Sequence, residues 1–321
     1  MKPSTTAEAP GSKFSLATLY EAARMYYLEE ANQVQIAERM QVSRPTVSRL
    51  LAEARRVGLV RIEVINPAND EGRLLAEDLA RTLGLHKAYV ADGDQSARMG
   101  AGLSAQVDEV FADIGLTAGD VLLVSSGRTV YDIVEGVLPR LPGVIISPTV
   151  GGQAEPEPWY QTNEIARTMA EKTGGSPAFL FAQALPSPEM YTSIHRDASF
   201  QRIQRLWENA SMALLGVGAP PSSRGSISKF IPSDDDSLLR AVGDICLNFF
   251  DAAGHDVPFP GSERMINTRL ETLQQVPHTV AAAVGLNKAS SIVAGAKAGY
   301  FNRLITDART ARAVIDLVEE E

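Results

Sequence analysis

Between Gln33 and Arg61 the run QVQIAERMQVSRPTVSRLLAEARRVGLVR leaves few folds open. Ile36, Ala37 and Met40 fall at i, i+1 and i+4, one face of a short helix. Val42 interrupts that helix and Ser43 is placed to cap a second. Pro45 suits the first turn of the second helix, where a missing N–H costs nothing. Val47, Leu50, Leu51 and Ala54 give the second helix an apolar stripe, which leaves Arg44, Thr46, Ser48 and Arg49 facing out. The small Ala37 lets the two helices cross closely, and Gln41 stands at the turn where glycine is usual. The spacing predicts a helix-turn-helix, whose second helix enters the major groove N-terminus first and reads base edges with short polar or Arg side chains. The candidate DNA contacts are Ser43, Arg44, Pro45, Thr46, Ser48 and Arg49, with Arg55 and Arg56 further along the same helix. The competing reading is an ordinary surface helix hairpin with solvated charges.

A net charge of −9 argues against a nucleic-acid binder only if the charge is evenly spread. It is not: from residue 39 to residue 61 six arginines (39, 44, 49, 55, 56 and 61) face one acid, Glu53. A basic head on an acidic body describes the chain better. Its 321 residues favour two domains. The single Cys246 forms no intrachain disulfide, which suits a reducing cytosol, and a cytoplasmic location is expected. No apolar signal core opens the chain and no apolar run approaches the roughly 20 residues of a membrane span, so no membrane partner is expected.

Taken in order, residues 1–13 are small and polar and are expected to be a disordered tail. Residues 14–65 make the DNA-binding domain: a scaffold helix over 14–31 using Leu16, Leu19, Ala23, Tyr26 and Tyr27, the two-helix motif, and a wing-like strand over 59–65 that carries Arg61. The turn-forming residues 66–72 are a linker, and 73–321 form the second domain. There, short apolar runs alternate with helical patterns, which implies a parallel sheet covered on both faces. The expected elements include a helix from 73, a strand at 87, a helix over 98–114, strands at 120–124 and 144–152, and a helix from Asn163 to Gly174. Beyond these come a strand over 177–186, a helix over 195–209, a strand ending at Gly216–Gly218, helix then strand over 237–250, and strand–helix–strand–helix to Leu317.

Ligands of such sheets bind beyond the C-terminal strand ends. The turns Ser126–Thr129, Gly151–Gly152, Gly216–Gly218 and Gly285–Lys288 all follow strands and can converge. At Ser125-Ser126-Gly127-Arg128-Thr129 a strand gives way to a helix start, a geometry that suits phosphate or carboxylate and equally suits plain turn chemistry. Neither a P-loop nor a GxGxxG fingerprint is present, the four histidines have no ligand spacing, and no cofactor or metal is expected. Asp251, His255 and Asp256 read as turn chemistry and Asp307 as a helix N-cap.

From Phe14 to Val318 the chain resembles the SorC/DeoR-type sugar-binding transcriptional regulators. The resemblance rests on the helix-turn-helix and on SSGRTVYDIV, TVGG, QTNEIA, ALP-P near 184–188, ALLGVGAP, AVGDI with FFDAAG, and AVGLNKASSIVAGAKAGYFNRLITDARTA, in that order and spacing. It implies an α/β architecture: an N-terminal winged helix-turn-helix, then a Rossmann-like parallel-sheet effector domain similar to the sugar-phosphate isomerase and aminosugar-phosphate deaminase fold. The implied function is repression of a carbohydrate or nucleoside catabolic operon. The implied partners are double-stranded operator DNA, a sugar or sugar-phosphate effector, and further copies of the chain in a homodimer or homotetramer.

By resemblance, Ser126, Gly127, Arg128 and Thr129 match a phosphate-binding turn, and Gly151 and Gly152 the glycine pair beside it. Gln161 matches a polar position before the next helix, Asp244 an acid that takes sugar hydroxyls, and Lys288 the lysine of a Gly-x-x-Lys-Ala motif; from the residues alone Asp244 reads equally as a cap, and Lys288 as a cation for an anionic ligand or a solvated lysine. Val150 stands where phosphate-binding members can place an arginine, which leaves open an unphosphorylated sugar or a differently placed phosphate. The rival readings are a sugar-phosphate isomerase- or deaminase-like enzyme with an accessory DNA-binding head, for which Asp244 and Lys288 are the nameable acid/base groups, and a DNA-binding protein without a ligand.

Overall fold

The computed structural model describes residues 14–60, 70–92, 100, 102–224, 227–232 and 236–320. They fall into two compact units that divide after Pro67. The expected tail, most of the wing strand and residues 66–69 of the expected linker lie outside the described residues.

The first unit is three helices around one small core: α1 (Leu16–Tyr27), α2 (Gln33–Met40) and α3 (Arg44–Arg56). Each begins on a side-chain cap. Ser15 accepts the Thr18 N–H, and Asn32 and Gln35 form a reciprocal capping box. Ser43 accepts the Thr46 N–H at 3.3 Å, with Pro45 in the first turn of α3. Ile36, Val47, Leu50, Leu51 and Ala54 are buried against Leu19, Ala22, Ala23 and Met25. Tyr26 departs from the expected core: it is 38% exposed, because Ala22 and Met25 take the inward positions of α1. The turn from α2 to α3 is closed by Gln41 in the left-handed region at φ 55°, without glycine.

The second unit carries the remaining elements in order: α4 (Asp70–Leu83), β1 (Lys87–Ala91), α5 (Ser104–Ile114), β2 (Val121–Val124), α6 (Arg128–Glu135), β3 (Ile145–Pro148), α7 (Thr162–Thr173) and β4 (Ser176–Pro177). Next are α8 (Pro188–Ile194), α9 (Ala198–Glu208), β5 (Met212–Gly216), β6 (Gly243–Ile245), β7 (Asn248–Phe250), α10 (Leu270–Gln275), β8 (His278–Ala282), α11 (Ala289–Lys297), β9 (Arg303–Asp307) and α12 (Ala308–Glu319). Seven strands form one parallel sheet in the order β1-β9-β8-β5-β2-β3-β4. Its central strands are buried along their length, as a sheet covered on both faces requires. Helices α5, α6 and α7 pack on one face, and α4, α9, α11 and α12 contribute to the core on the other. From β2 the chain winds outward through β3 and β4. From β5 it winds the opposite way through β8 and β9. The reversal lies between β2 and β5, the switch point at whose C-terminal strand ends such a sheet places a ligand crevice.

Several elements differ from the sequence expectation: α4 begins at Asp70, inside the expected linker, and β3 ends at Pro148. Helix α5 starts at Ser104 rather than 98, and Gly100 lies outside it against α6, where a Cβ would stand 2.1 Å from the Thr129 carbonyl oxygen. The run 177–186 pairs only at its start and through an isolated Gly152–Gln183 bridge, because it follows the sheet edge; Phe179 and Phe181 are exposed. The stretch 237–250 holds a short 3-10 turn and then the antiparallel hairpin β6–β7, not a helix and one strand. Cys246 and Leu247 make its turn at φ 52° and 61°. That left-handed pair is held by four bonds: Asp244 accepts the Leu247 N–H at 3.1 Å, Asn248 donates to the Ile245 carbonyl at 2.9 Å and to the Cys246 carbonyl at 3.3 Å, and Asn267 donates to the Cys246 carbonyl at 2.8 Å.

Candidate functional site

In the first unit α3 presents Arg44, Pro45, Ser48 and Arg49 to solvent, with Thr46 half-buried beside its capping partner Ser43. Burial of Val47, Leu50, Leu51 and Ala54 fixes this orientation, since the 3.6-residue period sends the intervening side chains outward. Arg55 is exposed at the far end. Arg56 is exposed too, but Glu53 holds its guanidinium in a two-point ion pair, Nη2 at 2.7 Å and Nε at 2.9 Å. Arg44 and Arg49 have no ion pair among the described residues, which leaves their guanidinium forks open for phosphate or a guanine edge.

In the second unit the crevice is built where β2 and β5 end. Ser125 stitches the two, its Oγ accepting the Gly216 N–H at 2.8 Å. Gly127 then adopts φ 116°, and α6 begins at Arg128 without a side-chain cap. The Gly127 N–H is engaged by the Trp159 carbonyl at 2.9 Å, and the Arg128 guanidinium lies 3.9 Å from the centre of the Trp159 ring. Ser126 Oγ accepts from Gln153 Nε2 at 3.3 Å. The buried Thr129 places its Oγ1 3.5 Å from Lys288 Nζ, joining the end of β2 to the turn after β8.

Lys288 precedes α11 and is half-buried. Burial, and then the neighbouring Arg224 cation, push its ammonium down to about 8 against the opposing pull of Asp244. Asp244 is itself buried and committed. One oxygen forms an ion pair with Arg224 and the other accepts the Leu247 N–H. Gly218 makes room for that pair, since a Cβ there would lie 2.0 Å from Asp244 Oδ1.

The glycine pair and Gln161 frame the crevice rather than face it with free donors. The Gly151 N–H donates to Ile266 and the Gly152 N–H to Ala182, at 2.8 and 2.7 Å. Gln161 Nε2 donates to the Glu155 carbonyl at 2.5 Å. Val150 is fully buried in the core. Elsewhere, Asp307 caps α12 by accepting the Thr310 N–H, and Asp251 accepts the Ala253 and His255 N–H groups of its own turn. A separate cavity of about 210 Å³, lined by Tyr191, His195, Phe200, Trp207 and Arg269 among others, includes none of the crevice residues.

Sequence reading missed Gln153, Glu155, Trp159, Arg224 and Ser228. Their only local signals are the acid–proline alternation at 154–158 and an arginine in the Ser-rich loop after β5.

A helix-turn-helix with open arginines, together with a doubly wound domain whose switch-point crevice gathers a helix N-terminus, Lys288 and Arg224, defines a ligand-responsive DNA-binding regulator. Residues 70–316 match the sugar-binding domain family Sugar-bind, and residues 23–57 match sigma-70 region 4. The deoxyribonucleoside regulator of Bacillus subtilis is 31% identical over 304 residues, 92% of this chain and 96% of that one. The sorbitol operon regulator of Klebsiella pneumoniae is 29% identical over 311 residues, 92% and 97% of the two chains. The crystal structure of full-length SorC from Klebsiella pneumoniae superposes with a TM-score of 0.75 at 28% identity, covering 95% of this chain and all of that one. The chain belongs to the SorC/DeoR-type sugar-binding transcriptional regulators.

Proposed function

We propose that this regulator is a repressor of a carbohydrate or nucleoside catabolic operon and that a sugar or sugar phosphate in the strand-end crevice controls its grip on operator DNA. In this reading residues 14–65 form the DNA-binding domain and 73–321 the effector and oligomerisation domain. Arg44, Thr46, Ser48 and Arg49 read bases, while Ser43, Pro45, Arg55 and Arg56 set the approach to the backbone. Ser126, Gly127, Arg128, Thr129 and Lys288 receive the effector, with Asp244 reaching it through Arg224, and Gly151, Gly152 and Gln161 shaping the wall. Two copies place their α3 helices one DNA turn apart, roughly 34 Å. The named relatives are a sorbitol operon regulator and a deoxyribonucleoside regulator, and a polyhydroxylated effector follows for this chain by kinship.

The observation that carries the proposal is the convergence of Thr129, Lys288 and Arg224 at the switch point, well away in sequence from the open arginines of α3. An effector moves the population only through unequal affinity for the DNA-competent and released arrangements. A catalytic role needs a positioned acid or base at a substrate carbon. Asp244 is tied to Arg224 and Leu247, so a binding role for it is favoured over an enzymatic one.

The test is a crossed pair of variants. Arg44→Ala or Arg49→Ala should weaken operator binding by about 1–3 kcal/mol each while leaving effector-induced stabilisation unchanged. Arg128→Ala should keep operator binding and lose the effector response. Equal loss of both functions in all three variants counts against the scheme.

A further inference from the structure

The segment joining β3 to α7 is patterned the wrong way round for hydrophobic burial. In Gln153-Ala154-Glu155-Pro156-Glu157-Pro158 the polar residues turn in and the small or apolar ones turn out. Gln153 and Glu155 are buried and Glu157 is half-buried, while Ala154, Pro156 and Pro158 are exposed. A two-residue alternation marks an extended strap with one inward face. Both ends of that strap are fastened to the crevice. Gln153 donates to Ser126 and accepts from the Ser228 hydroxyl. Trp159 engages the Gly127 N–H and stacks under Arg128.

Between these fastenings Glu155 is 7% exposed. Its Oε1 accepts the Lys229 N–H at 2.7 Å, and its Oε2 is buried with no hydrogen-bond partner among the described residues. Glu157 Oε2 on the same face is buried and unpartnered among the described residues as well. A buried carboxylate oxygen without a donor is destabilising, and such a group persists where something else supplies the donor.

We propose that Glu155 is a specificity-determining residue of the effector site, accepting hydroxyl hydrogen bonds from a polyhydroxylated carbohydrate held under the strap. This rests on the strand-end crevice being the effector site. An ionised carboxylate only accepts hydrogen bonds, so it pairs with O–H groups and repels a phosphate. The crevice then has two halves: Arg128, Thr129 and Lys288 take the ligand's anionic or oxygen-rich end, and the strap reads its hydroxyls. A site built to receive a hydroxyl discriminates steeply against an analogue lacking it, because its own acceptor is left unpaired.

The experiment uses the full chain with Glu155→Gln and Glu155→Ala. It measures melting without ligand, then with inorganic phosphate, glucose 6-phosphate, glucitol 6-phosphate, ribose 5-phosphate and 2-deoxyribose 5-phosphate. Without ligand both variants should melt close to the parent, since the lost Lys229 N–H bond is offset by removal of a buried carboxylate with one oxygen unpartnered among the described residues. The melting shift produced by whichever sugar phosphate stabilises the parent should vanish in Glu155→Ala, while any shift from inorganic phosphate is retained. Marked ligand-free destabilisation of both variants would make Glu155 a structural partner of Lys229 and overturn the proposal. A sugar-phosphate shift equal to the parent's in Glu155→Ala would overturn it too. A panel in which no sugar moves the parent counts against the crevice as effector site, and the ligand-free melts still decide the status of Glu155.

Discussion

Lys288 offers the sharpest quantitative test, because its charge is opposed by the fold that holds it. Its ammonium is pushed from 10.5 down to about 8, first by burial and then by Arg224, with Asp244 pulling the other way. The native state therefore holds fewer protons than the unfolded chain between pH 8 and 10.5. Stability rises with pH wherever the unfolded state binds more protons, so this group should make the ligand-free protein more stable as pH climbs through that window. At 1.36 kcal/mol per pKa unit the effect by pH 10 is up to about 2.5 kcal/mol, and about 1–2.5 kcal/mol after solvent screening of a half-buried side chain. An anionic effector favours the charged form, so its affinity should fall over the same window.

The perturbation is Lys288→Met, which keeps the length of the side chain and removes the charge. Melting of parent and variant from pH 7 to 10 cancels the titration of other groups in the difference. Near neutral pH the variant should melt several degrees above the parent, at about 2–4 °C per kcal/mol for a domain of this size, and the gap should close toward pH 10. Its response to anionic effectors should be lost at every pH. A difference that stays flat, or widens as pH rises, would refute the assignment of Lys288 as a desolvated cation awaiting an anion.

Two further outcomes follow from backbone geometry. Gln41→Gly should stabilise the first unit by about 0.5–1 kcal/mol, because it relieves a left-handed residue at φ 55° and gives back part of the gain as unfolded-state entropy; denaturant unfolding measures it. Gly218→Ala should destabilise the second unit by about 2 kcal/mol or more and weaken the effector response, since its Cβ would meet Asp244 Oδ1 at 2.0 Å and break the Arg224 ion pair. Melting curves with and without effector read both effects.

The parts of this protein legible in its sequence are those whose physics is local. Ser43 capping Thr46, Pro45 in the first turn and the stripe Val47–Leu50–Leu51–Ala54 all act over three or four residues, so the orientation of Arg44 and Arg49 follows from spacing alone. The alternation of short apolar runs with helical patterns likewise announces a covered parallel sheet, and the turns after β2, β5 and β8 announce where it opens. The boundary errors arose where a glycine serves a distant neighbour, as Gly100 does against Thr129, or where an apolar run follows a sheet edge, as Phe179 and Phe181 do.

Only the tertiary structure decided the chemistry of the crevice. Arg224 meets Asp244 across 20 residues, Lys288 meets Thr129 across 159, and Glu155 meets Lys229 across 74. No periodicity connects such positions, because they are brought together by strand order and not by chain neighbourhood. Asp244, which its sequence leaves equally as an acid for sugar hydroxyls or a plain cap, meets Arg224 with one oxygen and the Leu247 N–H with the other. Glu155, with one carboxylate oxygen on the Lys229 N–H and the other buried without a partner among the described residues, sits on a strap whose inward face becomes visible only once the ends of β2 and β5 lie side by side.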